Sequence, residues 1–207
     1  MMRQAGRYLP EYREVRSGSS FLGMVHDPSR ASEVTLQPIR RYGMDAAVIF
    51  CDILVPPAGM GQGVDFIEGQ GPVLEPAVRS AADVDGLRDF DAQDATGFLG
   101  DSIRAVREGL GDERAIIGFC GAPFTVASYM VEGRSSRNFE HTKKMMLGEP
   151  ETFDRLLTRV VDNSLGYLRM QVEAGADVLQ IFDSWGGALS AEVYRARILP
   201  HVERLVS

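Results

Sequence analysis

The chain has 207 residues, 44% of them hydrophobic and 25% charged, with a formal net charge of −7. Such a chain can bury a core as one globular domain, residues 1–207, although a complete eight-fold α/β barrel typically needs roughly 250 residues. Two cysteines exclude a disulfide framework, the absence of a long apolar run excludes a membrane helix, and the acidic balance excludes a general nucleic-acid binder.

The first sixteen residues carry Arg3, Arg7, Arg13 and Arg16 against Glu11 and Glu14, a basic opening in an acidic protein. Arginine holds its charge and presents a planar fork that suits carboxylate or phosphate. No apolar signal segment is present at this start, so a soluble cytoplasmic protein is expected. Next, Asp27-Pro28 reads as a helix N-cap with proline at the first helical position, and Gly43 as the stop. Pro38 should kink or divide that helix. Residues 45–50 form a short continuous apolar run, as expected of a strand buried on both faces.

Residues 52–76 are rich in glycine and proline, and 64–68 with 72–74 suggest a hairpin turning at Gly69-Gln70-Gly71. Gly59-x-Gly61 is followed by Val64 where a dinucleotide fingerprint needs glycine, so nucleotide binding is not expected. Asp83, Asp85, Asp89, Asp91 and Asp94 read as a solvated face. A helix follows with Leu99, Ile103, Val106 and Leu110 on one face, ended by Gly111. Residues 115–119 make a second buried strand. A long helix over 151–174, striped by Phe153, Leu156, Leu157, Val160, Val161, Leu165, Leu168 and Val172, stops at Gly175. Residues 177–182 make the third strand, and the alternation is that of βα units.

In such folds chemistry gathers at the carboxyl ends of strands. Those ends carry Asp52, then the turn Gly121-Ala122-Pro123-Phe124-Thr125, then Asp183-Ser184. Tyr129 lies just beyond the second. Cys51 and Cys120 read as small buried fillers. His26, His141 and His201 form no metal-binding pair, so no metal is expected.

The stretch Met2-Arg3-Gln4-Ala5-Gly6-Arg7-Tyr8-Leu9-Pro10-Glu11-Tyr12-Arg13 resembles the N-terminal signature of the uroporphyrinogen decarboxylase family. Three more blocks follow in that family's order: Thr35-Leu36-Gln37-Pro38 with residues 45–54, residues 118–133, and Gln180-Ile181-Phe182-Asp183-Ser184-Trp185. The resemblance implies a (β/α)8 TIM barrel with the signature on its first strand. It also implies a cofactor-free and metal-free decarboxylation of the acetate arms of uroporphyrinogen III to coproporphyrinogen III. Arg3, Gln4, Ala5, Gly6 and Arg7 match the family's substrate-binding loop, Asp52 its central aspartate, Tyr129 its cleft tyrosine and Ser184 its hydroxyl position. Of these, Asp52, Arg3 and Tyr129 match catalytic positions, with Arg3 better suited to binding carboxylate than to donating a proton.

A family leader before Met2 and a late histidine have no counterpart, so the expectation is an N-terminal fragment with about four of the eight strands. On that reading the fragment alone is inactive and self-associates through open strand edges, while the complete protein is a homodimer. The rival of the same fold is a corrinoid-dependent zinc methyltransferase, which the Arg-Gln-Ala-Gly-Arg loop disfavours.

Overall fold

A computed structural model describes residues 6–67 and 69–207. The helices are α1 (Pro10–Ser17), α2 (Phe21–Val25), α3 (Pro28–Tyr42), α4 (Val55–Gly59), α5 (Ala81–Asp85), α6 (Ala92–Leu110), α7 (Pro123–Glu132), α8 (Glu140–Gly148), α9 (Pro150–Glu173), α10 (Ala191–Arg197) and α11 (Leu199–Val206). The strands are β1 (Ala46–Val48), β2 (Gly63–Ile67), β3 (Gly71–Glu75), β4 (Ala115–Gly121) and β5 (Val178–Phe182). β4 lies between β1 and β5, and β1 runs parallel to β4 with Ala46, Ala47 and Val48 opposite Ala115, Ile116 and Ile117. Among the described residues no helix is long and apolar enough to cross a membrane.

The chain divides into two compact units, one of residues 1–52, 92–120 and 167–180, the other of 53–91, 121–166 and 181–207. In the first, α3 begins as the sequence suggests: Asp27 accepts from the backbone N–H groups of Ser29 and Arg30, and Gly43 closes the helix in the left-handed region at φ 64°. The helix runs unbroken through Pro38, so of the two expected outcomes, a kink or a division, the division does not occur. Proline removes one N–H, but Ala31, Val34, Leu36 and Ile39 are buried, and packing of α3 on α6 outweighs the lost bond. The two helices approach closely at Gly109, where a Cβ would come within 2.6 Å of Leu36 Cδ1.

Continuous burial is found only along the middle strand, from Ile116 through Gly121. β5 was expected to be covered on both faces, and it is not, with Val178 50% exposed. β5 has a single neighbour in the described sheet, whereas β4 has one on each side. The stripe of α9 also departs from expectation at its end, where Val172 is 51% exposed. Of the stretch matched to a first strand, residues 6–9 form a turn, with Leu9 N–H donating to Gly6 O at 2.7 Å, and α1 follows.

In the second unit β2 and β3 form the expected antiparallel hairpin, Val64 opposite Leu74. Its core gathers Leu54, Met60, Leu74, Phe124, Met130 and Phe153, among others. The acidic stretch is more than a solvated face. Asp83 accepts from Arg79 N and Ser80 Oγ at the start of α5, Asp85 pairs with Arg155, and Asp89 accepts from Arg159 and Asn163 of α9. All five aspartates are exposed, as a solvated face requires, and the pairings of Asp85 and Asp89 were not legible because their partners lie about seventy residues away.

Candidate functional site

In the first unit, Asp52 follows β1 and is half-buried. The strand end is fixed by two backbone bonds: Ile49 N–H donates to Ile117 O at 3.1 Å, and Phe50 N–H donates to Thr35 Oγ1 at 2.9 Å. Thr35 in turn donates to Ala31 O at 2.7 Å, so one buried hydroxyl ties α3 to the segment leading into Asp52. Beside Asp52, Cys51 Sγ lies 3.4 Å from the Tyr167 hydroxyl. Burial pushes the Cys51 thiol up to about 12, and burial together with the Cys51 neighbour pushes the Tyr167 phenol well above its ordinary value. The Asp52 charge raises both, so its carboxylate is near enough to be felt by each. At neutral pH the thiol and the phenol are both uncharged.

The floor under this region is held by Gln171, which no residue pattern announced. Its side chain is buried in α9, where Oε1 accepts from Phe119 N at 2.8 Å and Nε2 donates to Phe119 O at 3.0 Å. The amide thereby replaces a neighbouring strand for one residue of β4. Gly118 makes this possible, since a Cβ there would sit 2.5 Å from Gln171 Oε1. Cys120 is fully buried and its thiol is pushed up to about 12 by burial, as suits an inert filler.

Gly6 is buried with φ 52°, and Arg7 is exposed with its guanidinium 5.3 Å from the Phe21 ring centroid. Arg3, Gln4 and Ala5 lie outside the described residues.

In the second unit, Tyr129 sits on α7, half-buried, with its ring centroid 4.0 Å from that of Trp185. Phe139 lies 4.9 Å from the same tryptophan. Ser184 precedes Trp185 in an exposed turn after β5. The structure therefore brings the Tyr129 and Ser184 segments together through Trp185. The turn is held by Asp183, whose Oδ1 accepts from Thr125 Oγ1 at 2.9 Å and from Gly186 N at 3.0 Å. Asp183 Oδ2 accepts from the Tyr194 hydroxyl at 2.9 Å. Burial, and then donation to Asp183, push the Tyr194 hydroxyl up to about 12.

Elsewhere in this unit, Arg79, Arg134, Arg137 and His141 line a cavity of about 330 Å³, an arginine grouping that sequence spacing did not suggest. His201 Nε2 lies 3.0 Å from Asp154 Oδ1, and in the first unit His26 stacks edge-on to Phe98. Among the described residues no three His, Cys, Asp or Glu side chains are grouped to hold a metal.

The family model for uroporphyrinogen decarboxylase matches residues 1–207. The uroporphyrinogen decarboxylase of Alkalilimnicola ehrlichii is 48% identical over all of this chain and 57% of its own length. That of Myxococcus xanthus is 49% identical over all of this chain and 59% of its own length, and that of Syntrophotalea carbinolica 49% over all of this chain and 60% of its own. The chain thus spans 57–60% of the length of these curated relatives. A methyltransferase from Methanosarcina mazei aligns with a TM-score of 0.71 at 20% identity, over 93% of this chain and 57% of that one. At that identity the likeness bears on fold alone, and it bears out the expected class, part of a (β/α)8 barrel.

Proposed function

The chain belongs to the uroporphyrinogen decarboxylase family, and from that premise we propose that it serves the cofactor-free decarboxylation of the acetate arms of uroporphyrinogen to give coproporphyrinogen. Uroporphyrinogen carries four acetate and four propionate arms around four inward-facing pyrrole N–H groups. Asp52 is assigned the centre, where one carboxylate accepts several of those N–H groups at once. The observation that carries this reading is the setting of Asp52 beside Cys51 and Tyr167, both protonated at neutral pH. A thiol and a phenol held neutral add no negative charge beside that carboxylate, whose own charge would stabilise a cationic intermediate.

The chemistry supplies its own electron sink. Protonation of a pyrrole α-carbon makes that ring cationic. The bond between the acetate methylene and its carboxylate then breaks, its electron pair flows into the ring, and CO₂ leaves. A proton delivered to the exocyclic carbon completes the methyl group, and the α-carbon then releases the proton it gained, which restores the neutral pyrrole. Asp52 stabilises the cation, Arg3 and Arg7 bind peripheral carboxylates, and Gln4, Ala5 and Gly6 shape the loop that carries them. Tyr129 orients substrate, and Ser184 offers a hydroxyl to a carboxylate arm. The homodimer implied by the resemblance and a cytoplasmic location belong to the same reading. The likeness to a methyltransferase, at 20% identity, favours no second reading.

The test is anaerobic incubation with uroporphyrinogen of this chain and of the intact protein that contains it, followed by chromatography of the oxidised products. Accumulation of coproporphyrin supports the reading. Unchanged uroporphyrin with both samples contradicts it.

A further inference from the structure

The carboxylate that organises the end of β5 is not among the positions matched to the family's site. Asp183 is the meeting point of three segments of one unit. Thr125, in the first turn of α7, donates to its Oδ1 at 2.9 Å, Gly186 N–H donates to the same oxygen at 3.0 Å, and the Tyr194 hydroxyl of α10 donates to Oδ2 at 2.9 Å. The fully buried Thr125 hydroxyl also accepts from Trp185 N–H at 3.2 Å. Thr125 and Tyr129 are one helical turn apart and lie on the same side of α7. Asp183 thus holds Trp185 through Thr125, and Trp185 packs 4.0 Å, centroid to centroid, from Tyr129. Ser184 lies between two residues that this network fixes, Asp183 and Trp185. Gly186 belongs to the same device, because a Cβ there would meet Asp183 Oδ2 at 2.5 Å.

We propose that Asp183 is a positioning residue: it sets Ser184 and the Trp185–Tyr129 pair in the geometry that engages the substrate, without touching the substrate itself. The proposal rests on the functional reading above. Two features separate positioning from direct binding. Both oxygens of Asp183 are already occupied by donors. A negative group facing a polyanion would also repel it, so direct contact is disfavoured.

The bonding frame, not the charge, is what positioning requires. Asp183→Asn keeps that frame: its amide oxygen accepts from Thr125 and Gly186, and its amide N–H donates to the Tyr194 oxygen. Asp183→Ala removes it, and Thr125→Val cuts the link to Trp185 from the other side. Trp185 is the only tryptophan in the chain, so its emission reports the packing directly.

The experiment measures Trp185 emission in this chain and the retention of uroporphyrinogen by the intact protein that contains it, in anaerobic equilibrium dialysis, for wild type and the three variants, each first checked for a cooperative melt. Asp183→Ala and Thr125→Val are expected to shift the emission to longer wavelength and to weaken binding about 10-fold, roughly the loss of one such bond's worth of orientation. Asp183→Asn is expected to restore both to within about 3-fold of wild type. Two results overturn the proposal: wild-type affinity in both Asp183→Ala and Thr125→Val, or Asp183→Asn as weak as Asp183→Ala. Failure of the functional reading looks different. In that case the wild-type intact protein retains no uroporphyrinogen, while Asp183→Ala still shifts Trp185.

Discussion

The ends of β1 and β5 each carry an aspartate, and their surroundings are built in opposite ways. Asp52 is half-buried beside a thiol and a phenol that burial keeps protonated. Asp183 is exposed, and three donors from Thr125, Gly186 and Tyr194 converge on it. The first setting places a carboxylate beside two groups that stay uncharged, and the second engages a carboxylate in bonds that hold a turn. A carboxylate of the first kind suits stabilising a cation. One of the second kind suits fixing the groups around it.

That contrast can be broken most decisively at Asp52. Asp52→Ala is expected to lower uroporphyrinogen turnover at least ~100-fold in the intact protein, the scale of a lost electrostatic stabiliser, with little change in melting temperature. Turnover is read from the rate of coproporphyrinogen formation. Near-normal turnover would place the chemistry elsewhere.

The next effect is on stability and separates a buried frame from an exposed one. Gln171→Leu leaves the buried N–H and C=O of Phe119 without their partner, at a cost of about 2–4 kcal/mol. Tyr194→Phe removes one donor from the exposed Asp183 and is expected to cost under ~1 kcal/mol. Urea denaturation of both variants makes the comparison, and equal costs would remove the distinction. Thr35→Val falls between them at about 1–3 kcal/mol, because it strips the buried Phe50 N–H of its acceptor while preserving side-chain volume.

A smaller effect is a pH dependence. The folded state raises the Cys51 thiol to about 12, above its ordinary range near 8.5. The folded state therefore holds this proton more tightly than the unfolded one. The associated stability is fully present below about 8.5 and is lost as pH rises from there through about 12. Cys51→Ala should flatten the alkaline decline of the urea midpoint between roughly pH 8 and 11. An unchanged slope would show that the thiol is not desolvated in solution.

The parts of this architecture that were readable in the sequence are local. Asp27-Pro28 and Gly43 bound α3 through bonds two to four residues long, and Gly69 to Gly71 turn the hairpin within a few residues. Asp52, Tyr129 and Ser184 were found as motif positions, and the structure adds which neighbours surround each. What stayed hidden depends on distant partners. Thr35 serves Phe50 across 15 residues, Gln171 serves Phe119 across 52, and Asp89 reaches Asn163 across 74. No periodicity signals such a pairing, because it is decided by packing after the elements have formed. Pro38 shows the converse, a local signal for a kink or a division, where tertiary burial keeps the helix undivided. Val178 is 50% exposed in this chain, where β5 has one neighbour among the described strands.

The central claim is that Asp52 accepts pyrrole N–H groups, and the oxidation state of the ligand tests it directly. Uroporphyrinogen presents four N–H donors to a central carboxylate. Uroporphyrin presents two, together with two nitrogen lone pairs that repel it, while the eight peripheral carboxylates are the same. Dissociation constants for both ligands, measured anaerobically on wild type and Asp52→Ala, isolate that difference. The account predicts that wild type favours the reduced ligand by about 10-fold or more and that Asp52→Ala abolishes the preference. Equal binding of the two ligands by wild type, or a preference that survives Asp52→Ala, would contradict it.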